Sequence, residues 1–193
     1  MSPILKWLCL ILVSALLFSA STIKAAPLDE AFKSLSEGKA VAIMRHALAP
    51  GISDPAGFSL ADCQTQRNLS EAGRVQSKDI GELFRSQGIK QAQIFSSEWC
   101  RCMDTATLLE LGNVEPLTAL NSIFENRSAT ERQTEALKQK LRSWLAAPSQ
   151  PVVLVSHQVN IQALTQTYTS SGEILIITLE RDRVVVLASI PTT

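Results

Sequence analysis

Apolar residues along this chain fall into two kinds of pattern. Short apolar runs, "KAVAIM", "QAQIFSS" and "PVVLVS", have the length and β-branched content of buried strands, the last opening on a proline where a strand tolerates one. Between them the apolar positions recur at helical spacing. "LDEAFKSLSEG" predicts an opening helix closed by Gly38, and "SEAGRVQSKDIGELFRSQG" a longer one with Ser70 as N-cap and Gly88 beyond its end. In that helix Val75, Ile80, Leu83 and Phe84 are expected on one buried face. "WCRCMDTATLLELG", "TERQTEALKQKLRSWLAA" (stopped by Pro148) and "VNIQALTQTY" predict three further helices, and "EPLTAL" a short strand. Residues 47–69, rich in proline and glycine, predict a long loop. The chain ends in two β-rich runs around "ERDR", a hairpin. Strands alternating with helices specify an α/β fold: a mostly parallel sheet with right-handed crossovers, covered by helices on both faces. No repeat or low-complexity tract divides it.

The first 25 residues stand apart. Lys6 precedes "WLCLILVSALLFSA", which carries no charge, and "STIKAA" supplies small residues for a cut after Ala25. This is the layout of a secretory signal peptide, and the apolar run is shorter than the roughly 20 residues that span a bilayer. The expectation is a leader over residues 1–25, one domain over 26–193, a periplasmic or secreted location, and no stable membrane insertion after cleavage. The leader takes two lysines with it, leaving 16 basic against 18 acidic residues. So even a balance gives no electrostatic footprint for nucleic acid. Export also bears on Cys63, Cys100 and Cys102, because paired cysteines in an oxidising compartment form disulfides. Cys63 is expected to bridge to Cys100 or Cys102. The C-x-C spacing with one distant cysteine is not a usual zinc set, so neither a metal nor another cofactor is expected.

In an open sheet of this kind ligands bind beyond the carboxyl ends of the strands. Three separate pieces of sequence send polar groups to that edge: Arg45-His46, Ser96-Ser97 followed by Arg101, and Ser156-His157. His46 and His157 are the only two histidines of the chain. Guanidinium forks suit phosphate or carboxylate, and helix starts add backbone N–H groups. A neutral imidazole beside fixed cations is a competent nucleophile toward phosphorus.

The blocks "MRHA", "SSEWCRCMDTA" and "LVSHQVN" resemble, in order, the three signature blocks of the histidine phosphatase superfamily, which has the phosphoglycerate mutase-like fold. The likeness runs from about Val41 to Leu187, and "NLSEAGRVQ" resembles the helix start that follows the first block. The resemblance implies a three-layer α/β/α sandwich. It makes His46 the residue that is phosphorylated, with Arg45, Arg101 and His157 forming the phosphate pocket. Two positions depart from the common pattern: Ala47 replaces glycine, and Gln158 stands where the acid-phosphatase branch has its aspartate proton donor. The acid then comes from elsewhere. Glu125 in "SIFENR" matches the glutamate of the mutase-like branch, and Glu98, three residues before Arg101, is the second candidate.

Together these features point to an exported, metal-independent phosphatase acting on small phosphomonoesters through a phosphohistidine. Exported members with an "RHA" block also suggest an envelope sugar phosphate as substrate. Two other readings compete: a non-catalytic anion-binding module on the same fold, and a metallohydrolase using His46, His157 and a cysteine.

Overall fold

The computed structural model describes residues 28–193; the leader expected over residues 1–25 lies outside them. Six strands form one sheet: β1 (Val41–Arg45), β2 (Gln93–Ser96), β3 (Val114–Pro116), β4 (Val152–Ser156), β5 (Ile174–Glu180) and β6 (Arg183–Ile190). Their spatial order is β3-β2-β4-β1-β5-β6. Strands β1 to β4 are parallel, and the terminal hairpin adds β5 antiparallel to β1. Side chains alternate across β1. Ala42 and Met44 pack under α1 (Leu28–Ser36), α2 (Glu71–Ser86) and α3 (Cys100–Leu108). Val41 and Ile43 face α4 (Thr130–Ala146) and α5 (Gln158–Thr165). The result is the α/β/α sandwich expected. Among the described residues no helix is long and apolar enough to cross a membrane.

Strand register positions the site. Arg45 pairs with Ser156, and the next N–H, that of His46, donates to the Ser156 carbonyl at 2.9 Å. On the other side of β4, the N–H of Ser97 donates to the Val155 carbonyl at 3.0 Å. The carboxyl ends of β1, β4 and β2 therefore stop level with one another, and Arg45-His46, Ser156-His157 and Ser96-Ser97 emerge side by side.

Helix α2 differs from its sequence expectation in an informative way. Ile80 and Phe84 are buried, Leu83 is partly buried, but Val75 is 51% exposed. The docked face is made instead by Gly73, Gln76, Ser77, Ile80, Gly81 and Phe84. A Cβ on Gly73 would sit 2.1 Å from the Leu48 carbonyl oxygen, so only glycine lets the helix start approach the chain just after His46. Gln76 completes that contact: it accepts from the Leu48 N–H at 3.0 Å and donates to the Ser171 carbonyl at 3.0 Å. Ser70 caps the helix as expected, accepting from the Gly73 N–H at 3.1 Å. Two further boundaries shift. The short strand is Val114–Pro116, with Thr118–Leu120 a 3-10 turn, and α5 stops at Thr165 because Gln166 takes a left-handed conformation at φ 61°.

Residues 47–69 form the expected loop, containing a single 3-10 turn at Cys63–Thr65. A disulfide joins Cys63 to Cys100 at the first turn of α3, with the two Cα atoms 5.7 Å apart, and Cys102 is left as a buried free thiol. Gln66 reinforces the junction by accepting from the Cys100 N–H at 3.0 Å. Closing a loop of this size removes unfolded-state entropy equivalent to about 2–4 kcal/mol. The Cys63→Ser/Cys100→Ser double variant should therefore lose about 2–4 kcal/mol of stability, read as a lower urea midpoint. Thiol titration of the denatured, unreduced protein should find Cys102 as the only reactive thiol in residues 26–193; three thiols there would refute the bridge.

Candidate active site

The two histidine rings lie 5.6 Å apart, centroid to centroid, inclined at 69°. Both are buried. His46 Nδ1 is 2.8 Å from the carbonyl oxygen of Ala47. A carbonyl can only accept, so Nδ1 carries the proton, and Nε2 keeps its lone pair. On His157 the opposite nitrogen is engaged: Nε2 is 2.8 Å from Ser97 Oγ and 3.5 Å from Cys102 Sγ. Burial, first of all, and then the charges of Arg101, Arg45 and Arg67 push the His46 pKa down to about 3, against the Ala47 hydrogen bond that raises it. His157 is lowered too, by burial, by His46 and by the same arginines. Desolvation thus outranks the neighbouring cations in keeping His46 neutral. Burial also pushes the Cys102 thiol up to about 12, so it stays protonated and acts as wall rather than nucleophile.

Three guanidinium groups surround the imidazoles. Arg45 donates to the Thr169 carbonyl at 3.2 Å, Arg67 to the Ala49 carbonyl, and Arg101 to the Arg67 carbonyl at 3.3 Å and to Asp54 at 2.8 Å. Each nevertheless has a buried Nε with no protein partner. All three arginines line the same cleft, and three guanidinium groups gathered at one end of it suit an anion. One carboxylate offsets the clustered charge. Asp54 accepts from Arg101 Nη1, from the Arg67 N–H at 2.9 Å and from Trp99 Nε1 at 3.0 Å. Burial works against its ionisation, but the hydrogen bonds from Arg101 and Arg67 outweigh it and hold the carboxyl below its usual range.

The cleft has a volume of ≈ 280 Å³, and its lining includes Arg45, His46, Arg101, His157 and Glu125. All five residues expected from sequence thus meet in one place. Glu98 does not join the cleft lining; its carboxylate accepts from Asn121 Nδ2 at 2.5 Å. Sequence reasoning missed Arg67 and Asp54. Arg67 directly precedes the "NLSEAG" block, a positional signal that was available, whereas Asp54 sits 13 residues earlier in an irregular loop and has none. Among the described residues no group of three His, Cys, Asp or Glu side chains could hold a metal ion, so the set imagined for a metallohydrolase is not assembled.

The sequence profile of the Histidine phosphatase superfamily (branch 1) matches residues 41–149, more than half of the chain. The chain belongs to this superfamily. Membership supports a phosphatase activity, and the profile match ends before His157, which the sheet register supplies. No curated protein matches the sequence significantly. Solved structures share the fold at low identity. The protein histidine phosphatase SixA complexed with tungstate aligns at a TM-score of 0.60 and 16% identity, over 78% of this chain and 95% of that one. A mycobacterial glucosyl-3-phosphoglycerate phosphatase complexed with VO3 aligns at 0.57 and 17%, over 77% and 96%. A mutant phosphoserine phosphatase from Entamoeba histolytica with phosphoserine aligns at 0.54 and 11%, over 78% and 95%.

Burial of two neutral histidines sets a pH dependence of stability. In the unfolded chain each takes up a proton below about pH 6.5, while in the folded chain His46 does so only near 3. The unfolded state therefore binds more protons in that window, so stability is complete above pH 6.5 and declines as pH falls below it. The slope reaches at most about 1.4 kcal/mol per pH unit for each histidine. Urea midpoints measured from pH 7 to 4.5 should fall, and fall less steeply in His46→Asn. Identical slopes in the two proteins would show that His46 is not held neutral.

Proposed function

We propose that the protein is an exported, metal-independent phosphatase that hydrolyses small phosphomonoesters through a phosphohistidine on His46. One observation carries this reading: the lone pair of His46 Nε2 is left free by the Ala47 hydrogen bond, in a cleft lined by three arginines. The arginines neutralise and orient a phosphoryl group, and the nucleophile sits on a rigid strand end, so positioning and electrostatics do most of the work. His46 Nε2 attacks phosphorus as the bond to the leaving alkoxide breaks. The alkoxide takes a proton from Glu125 at the cleft wall. Water then attacks the phosphohistidine and releases phosphate, with the Glu125 carboxylate receiving the proton. In the tautomer of His157 that accepts from the Ser97 hydroxyl at Nε2, Nδ1 carries the proton and donates it in a hydrogen bond to a phosphoryl oxygen.

Export rests on the leader pattern of residues 1–25 and is supported by the Cys63–Cys100 bridge, which belongs in an oxidising compartment. An exported enzyme meets envelope components, and an envelope sugar phosphate is the substrate this location favours. The solved structures of the same fold complexed with tungstate, VO3 and phosphoserine are in keeping with an oxyanion ligand.

His46→Ala should abolish turnover of every phosphomonoester with the fold retained by circular dichroism. Neutral-pH quenching of the wild type should trap acid-labile, base-stable phosphate on His46, with activity undiminished in excess chelator. Phosphate trapped on His157 instead would reverse the two roles. Wild-type protein that binds phosphate but turns nothing over would establish the anion-binding module.

Glu125→Gln should slow hydrolysis of an alkyl phosphate on the order of 10²–10⁴-fold, yet barely affect a nitrophenyl phosphate, whose leaving group needs no acid. Equal losses on both esters would remove Glu125 from the proton-donor role.

A further inference from the structure

The cleft is divided by chemistry. Its cations, Arg45, Arg67 and Arg101, all gather around the two histidines, where the phosphoryl group belongs. The wall and mouth are made differently. Trp99 stands beside His157, ring centroids 5.3 Å apart at 78°, and Phe58 lies 5.8 Å from Trp99. The indole is fixed in place because its Nε1 donates to the Asp54 carboxylate, the same group that holds Arg101. A rigid apolar surface thus begins where the phosphate pocket ends.

The rim continues it. Ile52, Phe124 and Tyr168 line the same cleft and are 85%, 42% and 64% exposed. Among the described residues only seven large hydrophobic side chains are exposed, and these three converge on one opening from three separate segments. Scattered singly they would need no explanation; gathered at the mouth of a site they mark a ligand surface. The segments are the loop after β1, the turn before α4 and the stretch after α5, where the left-handed Gln166 ends the helix in time to deliver Tyr168.

Charge at the mouth argues in the same direction. The one further Asp, Glu, Lys or Arg lining the cleft, beyond the three arginines and the paired Asp54, is Glu125, an acid. Arg127, two residues on, lies against the Phe124 ring at 5.7 Å and does not line the cleft. A leaving group bearing a carboxylate would meet Glu125 with no cation to receive it. The volume, ≈ 280 Å³, is at the small end for ligand sites and admits a phosphoryl group with one ring-sized alcohol.

We infer that the alcohol half of the substrate is an uncharged group with a flat apolar face, gripped between the Trp99–Phe58 wall and the Ile52, Phe124 and Tyr168 rim. The inference rests on the phosphatase reading above and specifies its substrate. Such a face is offered both by an aromatic ring and by the C–H face of a sugar ring, and in either case it stacks on the aromatic side chains.

The test compares primary alkyl phosphates, whose leaving groups are similarly basic: 2-phenylethyl phosphate, glucose 6-phosphate, glycerol 3-phosphate, phosphoserine and 3-phosphoglycerate. At least one ring-bearing ester should exceed glycerol 3-phosphate about tenfold in kcat/KM, the scale of a well-filled apolar contact. Phosphoserine and 3-phosphoglycerate should fall below glycerol 3-phosphate. Whichever ring leads identifies the source, aromatic or sugar. In Phe124→Ser and Tyr168→Ser, both at exposed positions that do not endanger the fold, the ring-over-glycerol ratio should drop by about fivefold. Equal use of glycerol 3-phosphate or phosphoserine, or an unchanged ratio in both variants, would overturn the inference while leaving the phosphatase intact. Absence of turnover on every ester would instead remove the phosphatase reading on which it rests.

Discussion

Parallel pairing of β1 with β4 is the contact on which the rest of the site depends. Arg45 stands opposite Ser156, and the His46 N–H donates to the Ser156 carbonyl, so two histidines 111 positions apart in the chain leave the sheet as neighbours. Because side chains alternate along a strand, a slip of one residue would turn each strand-end side chain to the opposite face. The buried cores on both faces of β1 and β4 forbid that slip. The packing that makes the protein stable is therefore also what places its chemistry.

Once the histidines are adjacent, electrostatics constrains everything around them. Burial and three nearby guanidinium groups keep both imidazoles neutral, which is the state a nucleophile requires. The same crowding of cations would repel itself in an empty cleft. Asp54 relieves part of that repulsion through Arg101, and a bound anion would relieve more. The pocket is thus poised for phosphate at some cost in stability, a common arrangement at functional sites.

The loop over residues 47–69 does more than connect β1 to α2. It is fastened to the start of α3 by the Cys63–Cys100 bridge and by Gln66, and to the arginine cluster by Asp54. It contributes Arg67 to the cationic end of the cleft and Ile52 and Phe58 to the apolar surface beside it. Fixing a long loop in this way turns an irregular segment into a wall that can discriminate between substrates.

The sequence by itself determined the layering and the strand ends. Short apolar runs separated by helical spacing leave few alternatives to a parallel sheet with helices on both faces, and "RHA", "SSEWCRC" and "SHQ" fall where each of three strands stops. Local signals of this kind are legible because they depend on neighbours in the chain, as the Ser70 cap also does. What tertiary structure alone decided were the long-range choices. It selected Cys100 over Cys102 as the partner of Cys63, because Cys102 faces the core against Ser156 and His157. It gave Glu98 to Asn121 and Glu125 to the cleft. It brought Asp54 to Arg101 across 47 positions, and it set Val75 in solvent because glycines and a glutamine, invisible to hydrophobic periodicity, fit the close contact beneath α2. Periodicity reads which residues avoid water; it carries no information about which polar groups find one another, and this active site is made of the latter.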